Sequence, residues 1–443
     1  MKILYAVHHF PPRYSGGAEW RAYRTAAAMQ SRGHATCAVA VERIDAGPDL
    51  GLAWEEGVFE GVNVRRLSFN MGKAPDPERW EYDNPWIGDH LQGLFESWRP
   101  DVFHLIGGYL MTGSPLRAAQ RMGIPTVLSL TDFWFLCKRI SMLRSDGRVS
   151  ALPVDPATCA RCLAEDSRRY RLPGQYLPGI MELYWKAQTK RADLIQQRLD
   201  YLLETLNRVD AIISPSQFLH SFYVEAGVDP DRILFSRQGR DFPSLPKEET
   251  QRQASSLLRV GYIGQIAWHK GVHVLFEAVK NSPNLSLQVR AYGNESHFPD
   301  YAAHLRKIAA GDARLELAGV YERHQVSRVY REMDVLVVPS VWYENSPNVI
   351  LEAFAHRVPV IATDLGGMAE LVRHEQNGLL FPIGDSAGLA SQLRRLVEEP
   401  GLLASLQDGI PAVRTESEEM DELVAIYTSV FEKVTPRSEV MEG

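Results

Sequence analysis

The chain has 443 residues, of which 45% are hydrophobic and 23% are charged, and its formal net charge at pH 7 is −7. This composition is normal for a globular protein of about two domains, and the acidic balance argues against general nucleic-acid binding. No apolar stretch approaches the roughly 20 residues of a membrane span. The N-terminus is predicted to be a first strand rather than a signal peptide, because Pro11-Pro12 follows it so soon. We therefore expect a cytoplasmic protein.

Short apolar runs alternate with helical patterns along the chain, which predicts an α/β architecture with parallel sheets. The strands predicted in the first half lie near residues 2–7, 35–41, 62–67, 102–105, 126–130, 211–213 and 233–236. The helices predicted there lie near residues 17–31, 89–97, 115–122, 189–207 and 217–226.

The second half repeats this alternation. Its predicted strands lie near residues 259–263, 286–292, 314–317, 335–338, 358–362 and 378–381. Its predicted helices lie near residues 272–279, 301–309, 325–333, 348–355 and 387–398, and an amphipathic stretch follows at 419–434. The segment 240–250 is polar, contains proline and lacks an apolar period, which is typical of a linker.

These patterns predict two Rossmann-like domains that face each other across a cleft. The N-terminal domain would span residues 1–240, with a helical insertion near 136–208. The C-terminal domain would span 255–415, and a last helix at 416–436 would return to the N-terminal domain. Ligands of open α/β sheets bind beyond the carboxyl ends of the strands, so we expect the active site in that cleft.

A segment between two predicted strands carries two glutamates, Glu344 and Glu352, with seven residues between them. Ser346 is a predicted N-cap and Pro347 a predicted first helical residue. A helix that begins there points free amides beyond the end of the preceding strand, which favours a phosphate. The two carboxylates suit hydroxyl groups. Phosphate-facing amides together with two carboxylates indicate a nucleotide sugar as the ligand.

Three further turns lie between a predicted strand and a predicted helix. Gly16-Gly17 follows the first strand, and paired glycines let the backbone approach a ligand closely. Lys270 stands just before a helix start in the second domain, where it would neutralise a diphosphate, although a solvated lysine is the simpler alternative. Gly366-Gly367 forms a similar turn, followed by Glu370. Glu370 is either a donor-sugar contact or an acid that suits the helix dipole.

In this order and spacing, the segments resemble those of the retaining nucleotide-sugar glycosyltransferases of family four, whose two-Rossmann-domain fold is called GT-B. The resemblance covers nearly the whole chain. The segments that carry it are 16–19, 214–216, 269–271, 338–340, 344–352, 366–367 and 377–381. It implies transfer of a sugar from a nucleoside diphosphate to an acceptor hydroxyl, in glycan, polysaccharide or glycolipid synthesis. The acceptor would be a glycan, a lipid-linked molecule or a small molecule.

The resemblance also implies roles for individual residues. Glu352 would hold the ribose hydroxyls and Glu344 would contact hydroxyls of the donor sugar. Lys270 would bind the diphosphate and stabilise the leaving group, supported by the amides near Asn348 and Val349. The remaining implied donor-site residues are Gly16 and Gly17, which would border the diphosphate and the acceptor, and Gly366 and Gly367, whose amides would face the donor.

The chain departs from the family pattern at several positions. Gln265 stands where relatives usually have arginine, so it is a donor-site candidate without charge, and phosphate stabilisation would depend more on Lys270. Thr131 and Ile106 occupy positions where relatives often have histidine, and His104 is more often a core histidine than a ligand. A catalytic histidine is therefore not assigned.

Asp132 remains as a polar side chain able to bind an acceptor hydroxyl, and it joins Lys270 and Glu344 as a catalytic candidate. No Asp-x-Asp metal motif appears at a strand end, so no cofactor is expected to be required for catalysis. A front-face route, in which the leaving phosphate helps to deprotonate the acceptor, would explain the lack of a clear base. Two alternatives are a nucleotide-sugar epimerase on the same fold and a non-catalytic partner that binds nucleotide sugar or glycan.

Three cysteines form a pattern of their own, because Cys137 precedes the pair Cys159 and Cys162 in one stretch. A CxxC pair with a distant cysteine is typical of a structural zinc site, although Ser150 stands where a fourth thiolate would be expected. Free or partly disulfide-bonded thiols are the alternative. Cys37 lies in an apolar strand and is predicted to be a buried small hydrophobe.

The insertion near 136–208 is long for a connection between two strands. It contains Arg168-Arg169-Tyr170-Arg171, followed by several aromatic and aliphatic residues. Basic and apolar residues together are found in interfacial helices, which would place the protein at the inner face of a membrane. The alternative is a helical insertion that covers the cleft and packs on the first domain.

Overall fold

The computed structural model describes residues 1–14, 16–241 and 255–434. It divides into two compact units. The first unit comprises Met1–Pro215, His220–Ser236 and the chain from Ser417 on, and the second comprises Ser216–Leu219 and Arg237–Glu416. The predicted linker lies outside the described residues from residue 242 on, as do residues 435 and 436 of the predicted last helix.

The first unit contains an eight-stranded sheet. Its strands are β1 (Lys2–Val7), β2 (Ala35–Arg43), β3 (Ala53–Phe59), β4 (Val62–Ser68), β5 (Val102–Ile106), β6 (Thr126–Ser129), β7 (Ala211–Ser214) and β8 (Ile233–Phe235). The order across the sheet is β3-β4-β2-β1-β5-β6-β7-β8, and every neighbouring pair is parallel except β3 and β4. The central strand β1 is buried from Ile3 to Val7, as expected for a parallel strand covered on both faces.

Helices connect these strands. They are α1 (Gly17–Ser31), α2 (Pro77–Trp80), α3 (Pro85–Trp98), α4 (Ser114–Arg121), α5 (Pro156–Ala164), α6 (Arg168–Tyr176), α7 (Pro178–Lys186), α8 (Thr189–Leu206) and α9 (Gln217–Glu225). The long connection from β6 to β7 holds four of them, α5 to α8. The sequence predicted this connection as a helical insertion but gave the range of α8 alone.

The sequence did not predict β3. This strand pairs antiparallel with β4 through a tight turn at Glu60 and Gly61, which both have a positive φ. Most of its side chains are exposed, so β3 lacks the apolar run by which the other strands were recognised.

The second unit contains a six-stranded, wholly parallel sheet. Its strands are β9 (Leu258–Ile263), β10 (Leu287–Tyr292), β11 (Leu315–Gly319), β12 (Val335–Val338), β13 (Val360–Thr363) and β14 (Gly378–Phe381). Their order is β11-β10-β9-β12-β13-β14. The helices are α10 (Val272–Lys280), α11 (Pro299–Ala309), α12 (Val326–Arg331), α13 (Asn348–Ala355), α14 (Gly366–Leu371), α15 (Ser386–Glu398) and α16 (Leu402–Asp408). Two parallel α/β sheets confirm the predicted fold class.

The last helix, α17 (Glu416–Val434), packs into the core of the first unit. Met420, Leu423, Tyr427 and Val430 are buried in one cluster with the apolar side chains of β1. The hydroxyl of Tyr427 lies 2.6 Å from Nδ1 of His104, whose Nε2 lies 2.9 Å from the Ser129 hydroxyl. Burial holds the pKa of His104 well below its usual value, so this imidazole is neutral. His104 is a core histidine, the more frequent of the two alternatives.

Candidate active site

The carboxylate of Glu344 lies at the centre of a hydrogen-bonded cluster beyond the carboxyl end of β12. Its Oε1 accepts from Lys270 Nζ at 2.6 Å, from Ser340 Oγ at 2.9 Å and from Trp342 Nε1 at 2.9 Å. Lys270 ends a short 3₁₀ turn after β9, and β9 is paired directly with β12. Carboxyl ends of neighbouring parallel strands meet at one sheet edge, so residues 74 positions apart in sequence form one cluster.

Glu344 and Lys270 form an ion pair. Burial alone would raise the pKa of Glu344, but the Lys270 ammonium and the three hydrogen bonds hold it below its usual value. The ammonium also lies 4.8 Å from the centroid of the Trp342 ring, an attractive cation–π geometry. An ammonium has three N–H donors, so its contact with Glu344 leaves donors for a second anion.

Helix α13 has the predicted range, but its first turn differs from the predicted capping by one residue. Its N-cap is Pro347, with φ −66° and ψ 113°, so the prediction of Ser346 as N-cap was wrong. The extended ψ keeps Pro347 outside the helix, while its carbonyl accepts the amide of Ile350 at 3.0 Å. The amides of Asn348 and Val349 therefore lie in the first turn, where backbone donors have no partner within the helix.

Two polar side-chain atoms beside this helix start are buried. Ser346 Oγ and Asn348 Oδ1 have no hydrogen-bond partner among the described residues. The same holds for Thr363 Oγ1, at the carboxyl end of the neighbouring strand β13. Buried polar atoms normally find partners, so their presence beside free helix amides indicates a place where a polar ligand binds.

Glu352 lies one turn further along α13. It accepts a hydrogen bond from the hydroxyl of Tyr330 at 3.1 Å, and the same hydroxyl lies 3.2 Å from the carbonyl of Val349. Burial, and then the charge of Glu352, raise the pKa values of Tyr330 and Tyr321. Tyr330 thus fixes the carboxylate that, according to the family resemblance, would hold the ribose hydroxyls. No sequence pattern indicated either tyrosine.

The Gly366-Gly367 turn packs against the backbone of the Glu344 loop. The amide of Gly367 donates to the carbonyl of Glu344 at 2.8 Å, so this amide is engaged within the protein. A Cβ atom on Gly367 would lie 1.9 Å from the carbonyl oxygen of Asn345, closer than any real contact. The absence of a side chain here allows the two loops to meet, which holds Glu344 in place.

Glu370 has partners of its own within the second unit. Its carboxylate forms an ion pair with Arg237 and accepts the amide of Phe218 at 2.8 Å. An acid interacts favourably with the helix dipole when it lies in the first turn. Glu370 is the fifth residue of α14 and lies beyond that turn. The alternative of a first-turn acid was therefore wrong.

The predicted site residues fall into two groups. Gln265, Lys270, Glu344, Asn348, Val349, Glu352, Gly366 and Gly367 belong to the second unit, whereas Gly16, Gly17 and Asp132 belong to the first. Within the second unit, the structure joins Lys270 directly to Glu344. The side chain of Gln265 is exposed just after β9, while its carbonyl accepts the Tyr262 hydroxyl at 2.7 Å.

In the first unit, Asp132 follows β6 and its carboxylate is held by neighbouring residues. Oδ2 accepts from the Thr131 hydroxyl at 2.9 Å, and Oδ1 accepts the amide of Trp134 at 2.8 Å. Desolvation raises the pKa of Asp132 despite these hydrogen bonds. A carboxylate with a raised pKa is a better hydrogen-bond partner and proton acceptor for a hydroxyl than an ordinary aspartate.

Sequence reasoning did not assign a role to His8, which directly follows β1. Its Nε2 lies 3.4 Å from Oε1 of Glu19, and its buried Nδ1 has no hydrogen-bond partner among the described residues. Burial opposes ionisation of Glu19, but the contact with His8 holds its pKa below the usual value. Gly16, the N-cap of α1, leaves room for this carboxylate, since a Cβ atom there would lie 2.5 Å from Glu19 Oε2. In the sequence, the pair His8-His9 directly after a buried strand was the pattern that could have marked His8 as a candidate site residue.

A cavity of about 430 Å³ lies in the first unit, at the carboxyl ends of β2, β4, β5 and β6. Its lining is mainly aromatic and aliphatic, with the exposed ion pair of Glu81 and Lys138 among its polar groups. Trp80, Tyr109 and Trp134 supply aromatic surface, and Tyr109 also packs edge-on against His8 at 5.6 Å. The volume is that of a typical small-molecule site.

The three cysteines of the insertion line one small pocket, and the structural zinc site predicted for them stays a prediction. Within the described ranges, no group of three or more His, Cys, Asp or Glu side chains is arranged to hold a metal ion. Cys137, Cys159 and Cys162 are free thiols, and burial, then the other two thiols, raise the pKa of Cys159 to about 12. Ser150, which stands at the position where a fourth thiolate would be expected, also lines this pocket.

Comparisons with known proteins agree with this architecture. The family model described as "Glycosyl transferase 4-like domain" matches residues 16–176, and the model "Glycosyl transferases group 1" matches residues 258–399. A relative, the D-inositol 3-phosphate glycosyltransferase of Rhodococcus erythropolis, is 31% identical over 207 residues. That match covers 44% of this chain and 46% of the relative, so it spans less than half of either protein.

Solved structures show the same fold. Sucrose-phosphate synthase from Thermosynechococcus elongatus has a TM-score of 0.69 at 16% identity, covering 98% of this chain and 99% of that one. HepE from Anabaena, solved with UDP and glucose, has a TM-score of 0.60 at 17% identity, with the same coverage. Two α/β units of this kind, together with these neighbours, show the GT-B fold. The chain belongs to the GT-B glycosyltransferases of family four.

Proposed function

We propose that the protein transfers a sugar, with retention of anomeric configuration, from a nucleoside-diphosphate sugar to an acceptor hydroxyl in glycan, polysaccharide or glycolipid synthesis. The observation that carries this proposal is the Lys270–Glu344 pair, which lies at the carboxyl ends of β9 and β12. The same sheet edge holds the start of α13 with its free amides and unpartnered polar atoms. A cation beside such a helix start is suited to a diphosphate. A structural relative binds UDP, which supports a nucleotide donor.

The donor residues then have distinct tasks. Lys270 and the amides of Asn348 and Val349 hold the diphosphate and meet the charge that develops as the glycosidic bond breaks. Glu344 orients the Lys270 ammonium and accepts from hydroxyls of the donor sugar. Glu352, fixed by Tyr330, binds the ribose hydroxyls. No step in this scheme requires a metal ion.

We place the acceptor in the 430 Å³ cavity of the first unit. Sugar rings present C–H groups on their faces, and aromatic side chains such as Trp80 and Tyr109 offer matching apolar surfaces. Asp132 and His8 supply polar groups beside the strand ends of the same unit. In a front-face reaction, the leaving phosphate oxygen takes the acceptor proton, so a separate strong base is not needed.

Turnover assays separate this proposal from its alternatives. A thermal-shift screen of UDP-, GDP- and ADP-sugars selects the donor, and release of the nucleoside diphosphate is then measured with candidate acceptors. Sugar transfer releases the nucleoside diphosphate and gives a product whose anomeric configuration, read by NMR, matches that of the donor. An epimerase converts the nucleotide sugar without net release of the nucleoside diphosphate. A non-catalytic binding partner neither converts the nucleotide sugar nor releases the nucleoside diphosphate. A product with inverted configuration contradicts the retaining course.

Glu352→Ala is expected to weaken nucleotide-sugar binding by roughly 10- to 100-fold, because hydrogen bonds to a charged group contribute about 1.5–3 kcal/mol. Calorimetry with the selected donor measures the change. Tyr330→Phe is the companion variant, since it keeps the carboxylate and removes only the hydroxyl that fixes it, and a smaller loss is expected. Unchanged affinity in Glu352→Ala removes the ribose assignment.

A further inference from the structure

Helices α6 and α7 in the insertion expose large apolar side chains to solvent. The exposed fractions are 78% for Tyr176, 53% for Leu177, 63% for Ile180 and 69% for Leu183. Leu172 and Tyr184 are exposed to a smaller extent. We call this set of six residues the α6–α7 apolar face. Single exposed apolar residues are ordinary on a protein surface. Six of them within 13 consecutive positions indicate an interaction surface for another protein or a membrane.

The spacing along α7 shows that this face is separate from the one that packs into the protein. Ile180, Leu183 and Tyr184 lie three and four residues apart within α7 and therefore share one side of it. Met181 and Trp185, four residues apart, are buried on another side. Helix α7 is thus anchored by one apolar stripe, while a second stripe is left for solvent or a partner.

Basic residues flank the apolar face in the sequence. Residues 168–191 contain six basic side chains and a single acid, Glu182, so this segment carries a net charge of +5 within a chain of net charge −7. All six basic side chains are exposed. They are Arg168, Arg169, Arg171, Lys186, Lys190 and Arg191. Exposed apolar residues flanked by cations on short helices are the composition of a segment that lies in the interface of an anionic bilayer.

We propose that the α6–α7 apolar face docks the protein peripherally on a lipid bilayer that contains anionic headgroups. Each helix has nine residues, which suits insertion parallel to the surface, and none of the helices in the described ranges is long and apolar enough to cross a membrane. A two-fold contact between copies through this face would bring together two 168–191 segments, each of net charge +5, which disfavours it. The proposal does not depend on the transferase chemistry.

Vesicle co-sedimentation of the full chain tests the proposal. We expect binding to vesicles of phosphatidylcholine with phosphatidylglycerol, at least about ten-fold weaker binding to phosphatidylcholine alone, and weakening by salt. The variant Leu177→Ser, Ile180→Ser, Leu183→Ser is expected to lose at least about ten-fold in partitioning. The matched control is Leu50→Ser, Val58→Ser, Val320→Ser, which changes three apolar residues elsewhere that are somewhat more exposed, and it should bind as the wild type does.

A second variant tests the charge separately. Arg168→Gln, Arg169→Gln, Arg171→Gln keeps the apolar face and should lose much of the preference for anionic vesicles. Circular dichroism and thermal unfolding of each variant confirm that it is folded. Absence of wild-type binding to anionic vesicles at low salt overturns the proposal, as does equal binding by the apolar variant. A dimer in light scattering that the same variant dissociates, without vesicle binding, assigns the face to a second copy instead.

Discussion

Lys270→Ala is expected to lower turnover at saturating donor by a factor on the order of 100, and to weaken donor binding by a smaller factor. The diphosphate gains negative charge as the bond to the sugar breaks, so a cation held against it stabilises the transition state more than the bound substrate. Gln265, the neighbouring polar side chain after β9, carries no charge that would replace it. Single-turnover rates and donor affinities of the variant and the wild type separate the two effects.

The matched control is Lys280→Ala in the same unit. Lys280 is an exposed lysine at the last position of α10, and its ammonium donates to the carbonyl of Ala310. Its replacement should leave turnover unchanged. Near-normal turnover of Lys270→Ala at saturating donor would mean that Lys270 only pairs with Glu344, and the phosphate site would then have to lie elsewhere.

The fold could be predicted because its signals are local. The parallel strands of both sheets are three to nine residues long, and every predicted end lies within two residues of the observed end. Strand β3 was missed because its pairing depends on β4 and the turn at Glu60 and Gly61, while its own side chains are largely exposed. The β-strand propensity of individual residues says little about whether a strand forms when neither of its faces is buried.

The site was predictable in its parts but not in its connections. The helix start at α13 and the lysine after β9 follow from short-range patterns around strand ends. Their contact depends on the order β9-β12 in the sheet, which a single sequence does not contain. The pairing of Lys270 with Glu344 therefore appeared only in three dimensions, as did that of His8 with Glu19.

For the three cysteines, the sequence spacing predicted proximity, which the structure shows, while the zinc interpretation stays a prediction. The CxxC pair lies one turn apart on α5, and Cys137 reaches the same pocket from the preceding loop. A structural zinc site needs four ligands in tetrahedral geometry, so this interpretation requires a fourth ligand that the sequence does not identify. At the Gly366-Gly367 turn the sequence pattern indicated more than the fold provides, because the amide of Gly367, predicted to face the donor, donates to the Glu344 carbonyl instead.

Glu344→Gln is expected to lower turnover by a factor on the order of 10 to 100, because it releases the ammonium of Lys270 from its position. It should also lower the free energy of unfolding. The loss should be smaller than the about 3–5 kcal/mol that follows when one partner of a fully buried ion pair is removed, since both side chains keep some exposure to water. The folded pKa of Glu344 is depressed, so the carboxylate contributes stability above its unfolded pKa of about 4.3 and loses it as the pH falls further. The stability difference between wild type and variant should therefore shrink below that pH.

Combining Lys270→Ala with Glu344→Gln separates the structural from the catalytic part of this pair. Lys270→Ala alone leaves a carboxylate with little solvent and no cation, which is a costly arrangement. Adding Glu344→Gln removes that charge, so the unfolding temperature of the double variant should rise above that of Lys270→Ala. Turnover should not recover, because the diphosphate still lacks its cation. Recovery of both quantities would show that the pair serves only the fold, whereas recovery of stability alone is the result expected of a site that binds a diphosphate.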